Sequence, residues 1–267
     1  DGSNGAGYKV GPRTLADLGA EVITIGCSPN GRNINDGCGS THPELLCATV
    51  SAVGADVGIA LDGDGDRLVM TDEAGRLIDG DQLLYILATA RKADGTLEGP
   101  VVGTVMSNLG LEHALIAQDI AFERAQVGDR YVLESLRATG GTIGGETSGH
   151  MIVLDRTTTG DGLVSALQIL AIMKESGQPL SELAAGMPKY PQTMLNVRIE
   201  ARMDPADSPA IMAAVSEVEA ELSDSGRVVL RASGTEPVIR VMVEGKDAAS
   251  VESLARRLAD VVERAAG

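Results

Sequence analysis

Tryptophan is absent from the 267 residues, phenylalanine occurs once, and aromatic residues together make up 2%. Cores must therefore be built from Val, Ile, Leu, Met and Ala, and the aromatic platforms on which single-stranded nucleic acid stacks are excluded. Positive charge is scarce as well: 22 Lys and Arg stand against 38 Asp and Glu, a net charge of −16. Such a field disfavours DNA, RNA and anionic membrane as partners, while a small anionic substrate still binds where a few basic side chains converge. No apolar run approaches the ~18 residues of a membrane span, and nothing at the start has the pattern of a secretion signal. Cysteine is limited to Cys27, Cys38 and Cys47, an odd number outside any CxxC spacing, which predicts plain thiols in a reducing compartment and a cytoplasmic protein. An initiating Met is also missing. Asp1-Gly2-Ser3-Asn4-Gly5-Ala6-Gly7 is turn chemistry of the kind that follows a strand, so the reading predicts that the chain is a portion of a longer one.

What is present is ordinary for a globular protein, 43% hydrophobic and 22% charged, with length for two or three domains. One stretch organises it: Asp62-Gly63-Asp64-Gly65-Asp66-Arg67 sets three carboxylates on alternate positions with glycines between. Glycine lets the backbone turn tightly enough for the carboxylates to converge, and three like charges so close call for a cation. Residues 57–61 read as a buried strand before this loop and 67–71 as a strand after it. A helix-loop-helix calcium site is a rival, because Asp62, Asp64, Asp66 and Glu73 fall at its first, third, fifth and last ligand positions. Its sixth position should be Gly and is Arg67, and its flanks should be helices. A solvated acidic turn is the bland alternative.

Along the chain, periodicity predicts a helix over 8–18, a short strand over 21–25 and a helix from Pro43 to about Val53, so that helices alternate with parallel strands in a first domain over 1–76. A second α/β domain, 77–187, reads as helix 83–91, strand 101–106, helix 111–118, strand 121–127, helix 131–136, strand 151–154 and helix 163–174. Pro188, Tyr190 and Pro191 read as a linker. A third domain, 190–267, reads strand 194–199, helix 210–222, strands 227–230 and 238–243, and a last helix over 248–265 burying Val251, Leu254, Leu258 and Val261. The fold class is therefore α/β: two consecutive three-layer α/β domains and a smaller α+β domain at the end.

Two further loops carry chemistry. Arg231-Ala232-Ser233-Gly234-Thr235-Glu236-Pro237 flanks a glycine with hydroxyls and, with Arg240, offers guanidinium forks that suit phosphate; an ordinary hairpin turn is the alternative. Gly144-Gly145-Glu146-Thr147-Ser148-Gly149-His150 offers Glu146 and Ser148 for sugar hydroxyls and His150 as a proton carrier near neutral pH, or is a structural turn with a satisfied histidine. Gly128-Asp129-Arg130 is a turn with an exposed guanidinium. Taken together, a metal loop, a hydroxyl-reading loop and a phosphate loop describe an enzyme for a phosphorylated sugar.

In this order and spacing the three loops resemble those of the alpha-D-phosphohexomutases, and the resemblance spans essentially the whole chain. Residues 30–43, 127–131 and 239–245 are similar to the branch of that superfamily that works on an amino sugar. The resemblance implies four domains in the parent, of which this chain holds most of the second, the third and the fourth. It implies Mg²⁺ on Asp62, Asp64 and Asp66, Arg67 beside a phosphoserine, and Glu146, Ser148, Asp129 and Arg130 around the sugar. It also implies His150 as catalytic proton carrier and Arg231, Ser233, Gly234, Thr235 and Arg240 on the non-reacting phosphate. The activity implied is interconversion of glucosamine 6-phosphate and glucosamine 1-phosphate through a phosphoserine and a hexosamine 1,6-bisphosphate, feeding cell-wall precursor synthesis. No Thr-Ala-Ser-His-Asn-Pro-like loop is present to supply that serine, so the chain is expected to need the missing N-terminal domain and to be inactive alone. Thr147 stands where relatives often carry an amide. A phosphomannomutase or phosphoglucomutase of the same architecture, and a non-catalytic metal or sugar-phosphate binding module, are the alternatives; the sequence leaves a homodimer open.

Overall fold

Local chemistry sets the helix ends. Asp79 accepts a hydrogen bond from Gln82 N while Gln82 reaches back to Asp79 N, a capping box that starts α3 (Gly80–Asp94) four residues in front of the first leucine of its apolar run. Asp161 caps α6 (Gly162–Ser176) through Val164 N, and Gly177, at φ 68°, ends it in the left-handed conformation that glycine enters without steric cost. In this computed structural model, which describes residues 1–200, 203–233 and 236–266, the chain divides into two compact units, residues 1–107 with 111–188, and residues 108–110 with 189–267.

The first unit begins with α1 (Val10–Asp17) and α2 (Glu44–Val53). Strands β1 (Gly58–Leu61), β2 (Leu68–Thr71) and β3 (Leu77–Ile78) follow as an antiparallel sheet in sequence order. The parallel alternation expected over 1–76 is not what forms. Residues 62–67 are too few for the crossover that a parallel return requires, so β2 folds back on β1. Residues 21–25 are assigned no strand. Asp1 and Gly2 bridge them to β1: Asp1 N donates to Ile59 O at 2.7 Å, Leu61 N to Asp1 O at 3.1 Å and Gly2 N to Ile25 O at 3.1 Å. Beyond that bridge an apolar cavity of about 180 Å³, lined by Val22, Ile23, Val57 and Ile59 among others, interrupts the ladder.

The second sheet of this unit runs β5-β4-β6-β7, with β4 (Val101–Thr104) parallel to β5 (Phe122–Ala125) and β6 (Ile143–Gly145), and β7 (Met151–Val153) antiparallel at the edge. Helices α4 (Leu109–Ile116) and α5 (Asp129–Thr139) are the crossovers, and α7 (Leu180–Ala184) follows α6. Strand β6 went unread in the sequence because Ile143-Gly144-Gly145 carries one apolar side chain. Its glycines are packing devices: a Cβ on Gly144 would stand 2.7 Å from Val102 O. Leu68, Met70, Leu83, Leu87 and Met151 are among the fully buried side chains, and Tyr85 is the one aromatic buried among the described residues. The core is aliphatic, as the composition requires.

The second unit is an antiparallel sheet, β8-β10-β9, with helices α8 (Pro209–Leu222) and α9 (Ala248–Ala266); β8 is Gln192–Arg198, β9 Gly226–Ala232 and β10 Val238–Gly245. Helix α9 buries Val251, Leu254, Ala255, Leu258 and Val262, while Val261 is only partly covered. The expected Val261 is thus corrected to Val262, which lies eleven residues and three turns beyond Val251 and so shares its face. Among the described residues no helix is long and apolar enough to cross a membrane.

Candidate functional site

Strand β1 ends at Leu61 and β2 starts at Leu68, its Cα partner, so residues 62–67 form a hairpin loop with both ends pinned. Asp62 follows directly on the buried strand and is 1% exposed. Its Oδ1 accepts from Gly65 N at 3.2 Å and Arg67 N at 3.1 Å, and its Oδ2 from Arg67 Nε at 2.7 Å. Burial by itself raises the Asp62 carboxyl, but the backbone N–H and guanidinium of Arg67 outweigh it and hold the group below the ordinary range. Asp66 goes the other way. Burial and the Asp62 charge push its carboxyl up, against the pull of His150.

Oxygens of Asp62, Asp64 and Asp66 lie within 4.8 Å of one another. Asp66 Oδ1 is buried with no hydrogen-bond partner among the described residues, and Arg67 Nε is 3.7 Å away. An orphaned carboxylate oxygen beside two further carboxylates fits a small hard cation that takes oxygen ligands. The flanking strands exclude the helix-loop-helix calcium site, and Glu73, its last ligand, accepts a hydrogen bond from Ser181 instead. The burial of Asp62 excludes a freely solvated turn.

The loop carrying Glu146 is sewn onto this hairpin through the backbone. Leu68 N donates to Gly149 O at 3.0 Å, Gly80 N to Thr147 O at 3.2 Å, and Glu146 N to His150 O at 3.0 Å. Only glycine fits at two of these points: a Cβ on Gly149, at φ 93°, would stand 1.9 Å from Leu68 O, and one on Gly80 would stand 2.0 Å from Glu146 O. The Thr147 hydroxyl donates to Asp81 Oδ2 at 2.8 Å, so it faces α3.

That seam places His150, 6% exposed, with Nδ1 3.1 Å from Asp66 Oδ2 and Nε2 3.9 Å from Asp129 Oδ2. Glu146 Oε1 accepts from Gly128 N at 2.9 Å, which ties the loop to the start of α5. Asp62, Asp66, Arg67, His150, Asp129 and Glu146 are thus linked by close contacts within one unit. Ser148 is exposed on the same turn. Arg130 is not drawn in: its Nε lies 2.8 Å from Glu134 on its own helix, and both side chains are exposed. The sequence reading missed Gly80 and Gly160. Gly80 sits inside an Asp79-x-x-Gln82 capping signature, and Gly160 in a Thr-rich turn before the Asp161 cap, so each looked like punctuation.

In the other unit, register sets Arg231 directly opposite Arg240 across β9 and β10. Like charges in that relation repel. Arg231 Nε is buried and finds no hydrogen-bond partner among the described residues, and burial, then Arg240, holds its pKa below the ordinary value. Ser233, 7% exposed, donates its N–H to Val238 O at 2.8 Å and accepts at Oγ from Glu236 N at 3.3 Å, which closes the turn. Two opposed guanidinium groups and a turn hydroxyl suit a phosphate dianion. Gly234 and Thr235, expected in the same site, lie outside the described residues.

Comparison with known proteins finds relatives along almost the whole chain. Three parts of the phosphoglucomutase/phosphomannomutase family match in order: alpha/beta/alpha domain II over residues 1–75, alpha/beta/alpha domain III over 79–190 and the C-terminal domain over 194–261. A phosphoglucosamine mutase of Halorhodospira halophila is 58% identical over 266 residues, covering 100% of this chain and 58% of that protein. One of Methylococcus capsulatus is 56% identical over 265 residues, covering 99% and 59%. The chain therefore spans somewhat under three fifths of the length of these curated relatives. Among solved structures, a phosphoglucomutase/phosphomannomutase family protein from Burkholderia thailandensis superposes with TM-score 0.79 at 22% identity, over 99% of this chain and 59% of that one. Aspergillus fumigatus N-acetylphosphoglucosamine mutase in complex with GlcNAc-6P and magnesium gives TM-score 0.79 at 20% identity, over 97% and 60%.

Proposed function

The chain belongs to the phosphoglucomutase/phosphomannomutase family, and from that premise we propose that it is part of an enzyme interconverting glucosamine 6-phosphate and glucosamine 1-phosphate. The observation that carries this reading is that the Leu68 N–Gly149 O hydrogen bond and the Arg67–His150 bridge hold the three-aspartate hairpin against the Glu146–His150 loop, where Asp66 meets His150 and keeps one orphaned oxygen among the described residues. Identity above 50% to proteins named phosphoglucosamine mutase supports the amino sugar as substrate.

In this reading Asp62, Asp64 and Asp66 hold Mg²⁺. When bound, the ion offsets charge on the phosphoryl group in transfer. Arg67 brings a second positive charge to the same place while its Nε keeps Asp62 ionised. Glu146 Oε1 is committed to Gly128 N, so its other oxygen serves a sugar hydroxyl beside Ser148. Asp129 borders the same space. His150 Nε2 has no hydrogen-bond partner among the described residues, and in this reading it is the nitrogen that carries a proton. Arg231, Ser233, Gly234, Thr235 and Arg240 take the phosphate that is not reacting. A hexosamine 1,6-bisphosphate that turns over between two transfers requires both loops to accept either end of the sugar.

The nucleophilic phosphoserine would come from residues beyond these 267, and the chain alone is expected not to turn over. Three free thiols support a reducing, cytoplasmic setting. Rates of the full-length protein on glucosamine, glucose and mannose 6-phosphates test the assignment. The amino sugar should be the best substrate by kcat/KM; a plain hexose phosphate turned over faster would move the protein to a phosphoglucomutase or phosphomannomutase.

A further inference from the structure

Asp66, unlike Asp62, accepts no hydrogen bond from the loop's own backbone among those found in the described residues. Its side chain is 37% exposed, and Arg67 Nε stands 3.7 Å from it rather than at bonding distance. What fixes it comes from 84 residues away: His150 Nδ1 lies 3.1 Å from Oδ2. An ionised carboxylate only accepts, so Nδ1 carries the proton of that hydrogen bond. With Oδ2 held, the remaining oxygen, Oδ1, is the buried and unpartnered one of the cluster.

The imidazole is in turn held from behind. Gly160 backs its far edge so closely that a Cβ there would lie 2.3 Å from Nε2, 2.5 Å from Cε1 and 2.8 Å from Cδ2. Val164 N bonds the Asp161 side chain and Gly162 N bonds Gly65 O at 2.9 Å, so the segment bearing Gly160 is anchored both to its helix and to the metal hairpin. Arg67 and His150 themselves form an isolated antiparallel bridge.

We propose that Gly160 and His150 form a clasp that positions Asp66, the imidazole Nδ1 holding one carboxylate oxygen so that the other points at the divalent cation. This rests on the reading of Asp62, Asp64 and Asp66 as the metal site. His150 thereby has two separable roles, positioning through Nδ1 and proton transfer through Nε2, and Gly160 tunes metal affinity without touching metal or substrate. Carboxylate ligands are themselves hydrogen-bonded by an outer shell whose loss weakens metal binding about 10- to 100-fold.

The test titrates Mn²⁺ alone into the 267-residue chain and follows water-proton relaxation, Mn²⁺ favouring the same oxygen ligands. His150→Asn retains an N–H near the Nδ1 position and should bind within about twofold of the unmodified chain. His150→Gln carries its amide farther out, and Gly160→Ala pushes the ring off its seat; both should weaken binding about tenfold. Melting curves establish that each variant is folded, and the two weakening variants act by different routes. Equal affinity in all four proteins, or His150→Asn as weak as His150→Gln, overturns the clasp and leaves the metal reading standing. No Mn²⁺ uptake by the unmodified chain overturns the metal reading itself, and the clasp with it.

Discussion

Asp66 is a carboxylate held at a disadvantage. Because burial and Asp62 raise its pKa in the folded state above the ordinary 3.8, the folded protein keeps a proton that the unfolded chain has released. Its contribution to stability therefore falls as pH rises through that window, and at neutral pH the ionised group opposes folding. Asp66→Asn should raise the melting temperature at pH 7 without divalent cation by about 2 °C, a modest figure because the side chain is partly exposed to screening solvent. The same substitution should abolish the upward shift that Mg²⁺ gives the unmodified chain; a variant that melts lower, or that still responds to Mg²⁺, contradicts the assignment. Glu244, 0% exposed, accepts from Gln192 Nε2 and Arg227 Nε, each at 2.7 Å. Glu244→Ala removes a buried acceptor shared by Leu109 N, Gln192 Nε2 and Arg227 Nε and should cost about 2 kcal/mol or more in urea unfolding; a loss under about 1 kcal/mol would show that this carboxylate is not what holds that corner of the sheet. The three aspartates were legible in the sequence because their spacing is itself the signal. The Asp66–His150 pair was not, because no local pattern marks a contact between residues so far apart.

Elements follow the sequence closely wherever a cap or a regular apolar stripe exists. Asp79, Asp161, Gly54 and Gly177 sit at helix ends, and the strand, helix, strand, strand, helix order of the last domain is that of the structure. Departures occur where partners outweigh local pattern. Residues 21–25 have a strand's composition and no ladder beside them, and β6 has a ladder but a glycine-rich sequence. Helix α9 tests the corrected face: Val262→Ala should lower stability by about 2 kcal/mol and Val261→Ala by less than about 1 kcal/mol, measured by denaturant unfolding. The reverse ranking would put the helix in another rotation. Gly80→Ala drives a Cβ into Glu146 O and should cost at least about 2 kcal/mol while leaving the α3 cap intact. Were its melting curve unchanged, the loop could not be seated on α3 as described.

At the scale of the whole molecule the mix of helices and strands was enough to read the α/β class, and three polar loops in order were enough to point to the family whose three domains the chain matches. Each unit, taken by itself, holds one polar cluster, an acidic hairpin joined to the Glu146–His150 loop in the first and a pair of opposed arginines in the second, and each carries an electrostatic cost that a ligand would relieve. In the first, carboxylates crowd Asp66; in the second, Arg231 faces Arg240. Opposite signs of uncompensated charge are what a metal ion and a phosphate group respectively neutralise. The most direct measurement follows glucosamine 6-phosphate by ³¹P NMR with the full-length protein before chelation, after chelation and after Mg²⁺ is restored, beside a variant with Asp62, Asp64 and Asp66 all changed to Asn. Glucosamine 1-phosphate should appear, stop on chelation and resume with Mg²⁺, and the variant should be slower by about 10³-fold, the equivalent of several kcal/mol of lost transition-state stabilisation. Conversion that continues undiminished after chelation and in the triple variant would contradict the account.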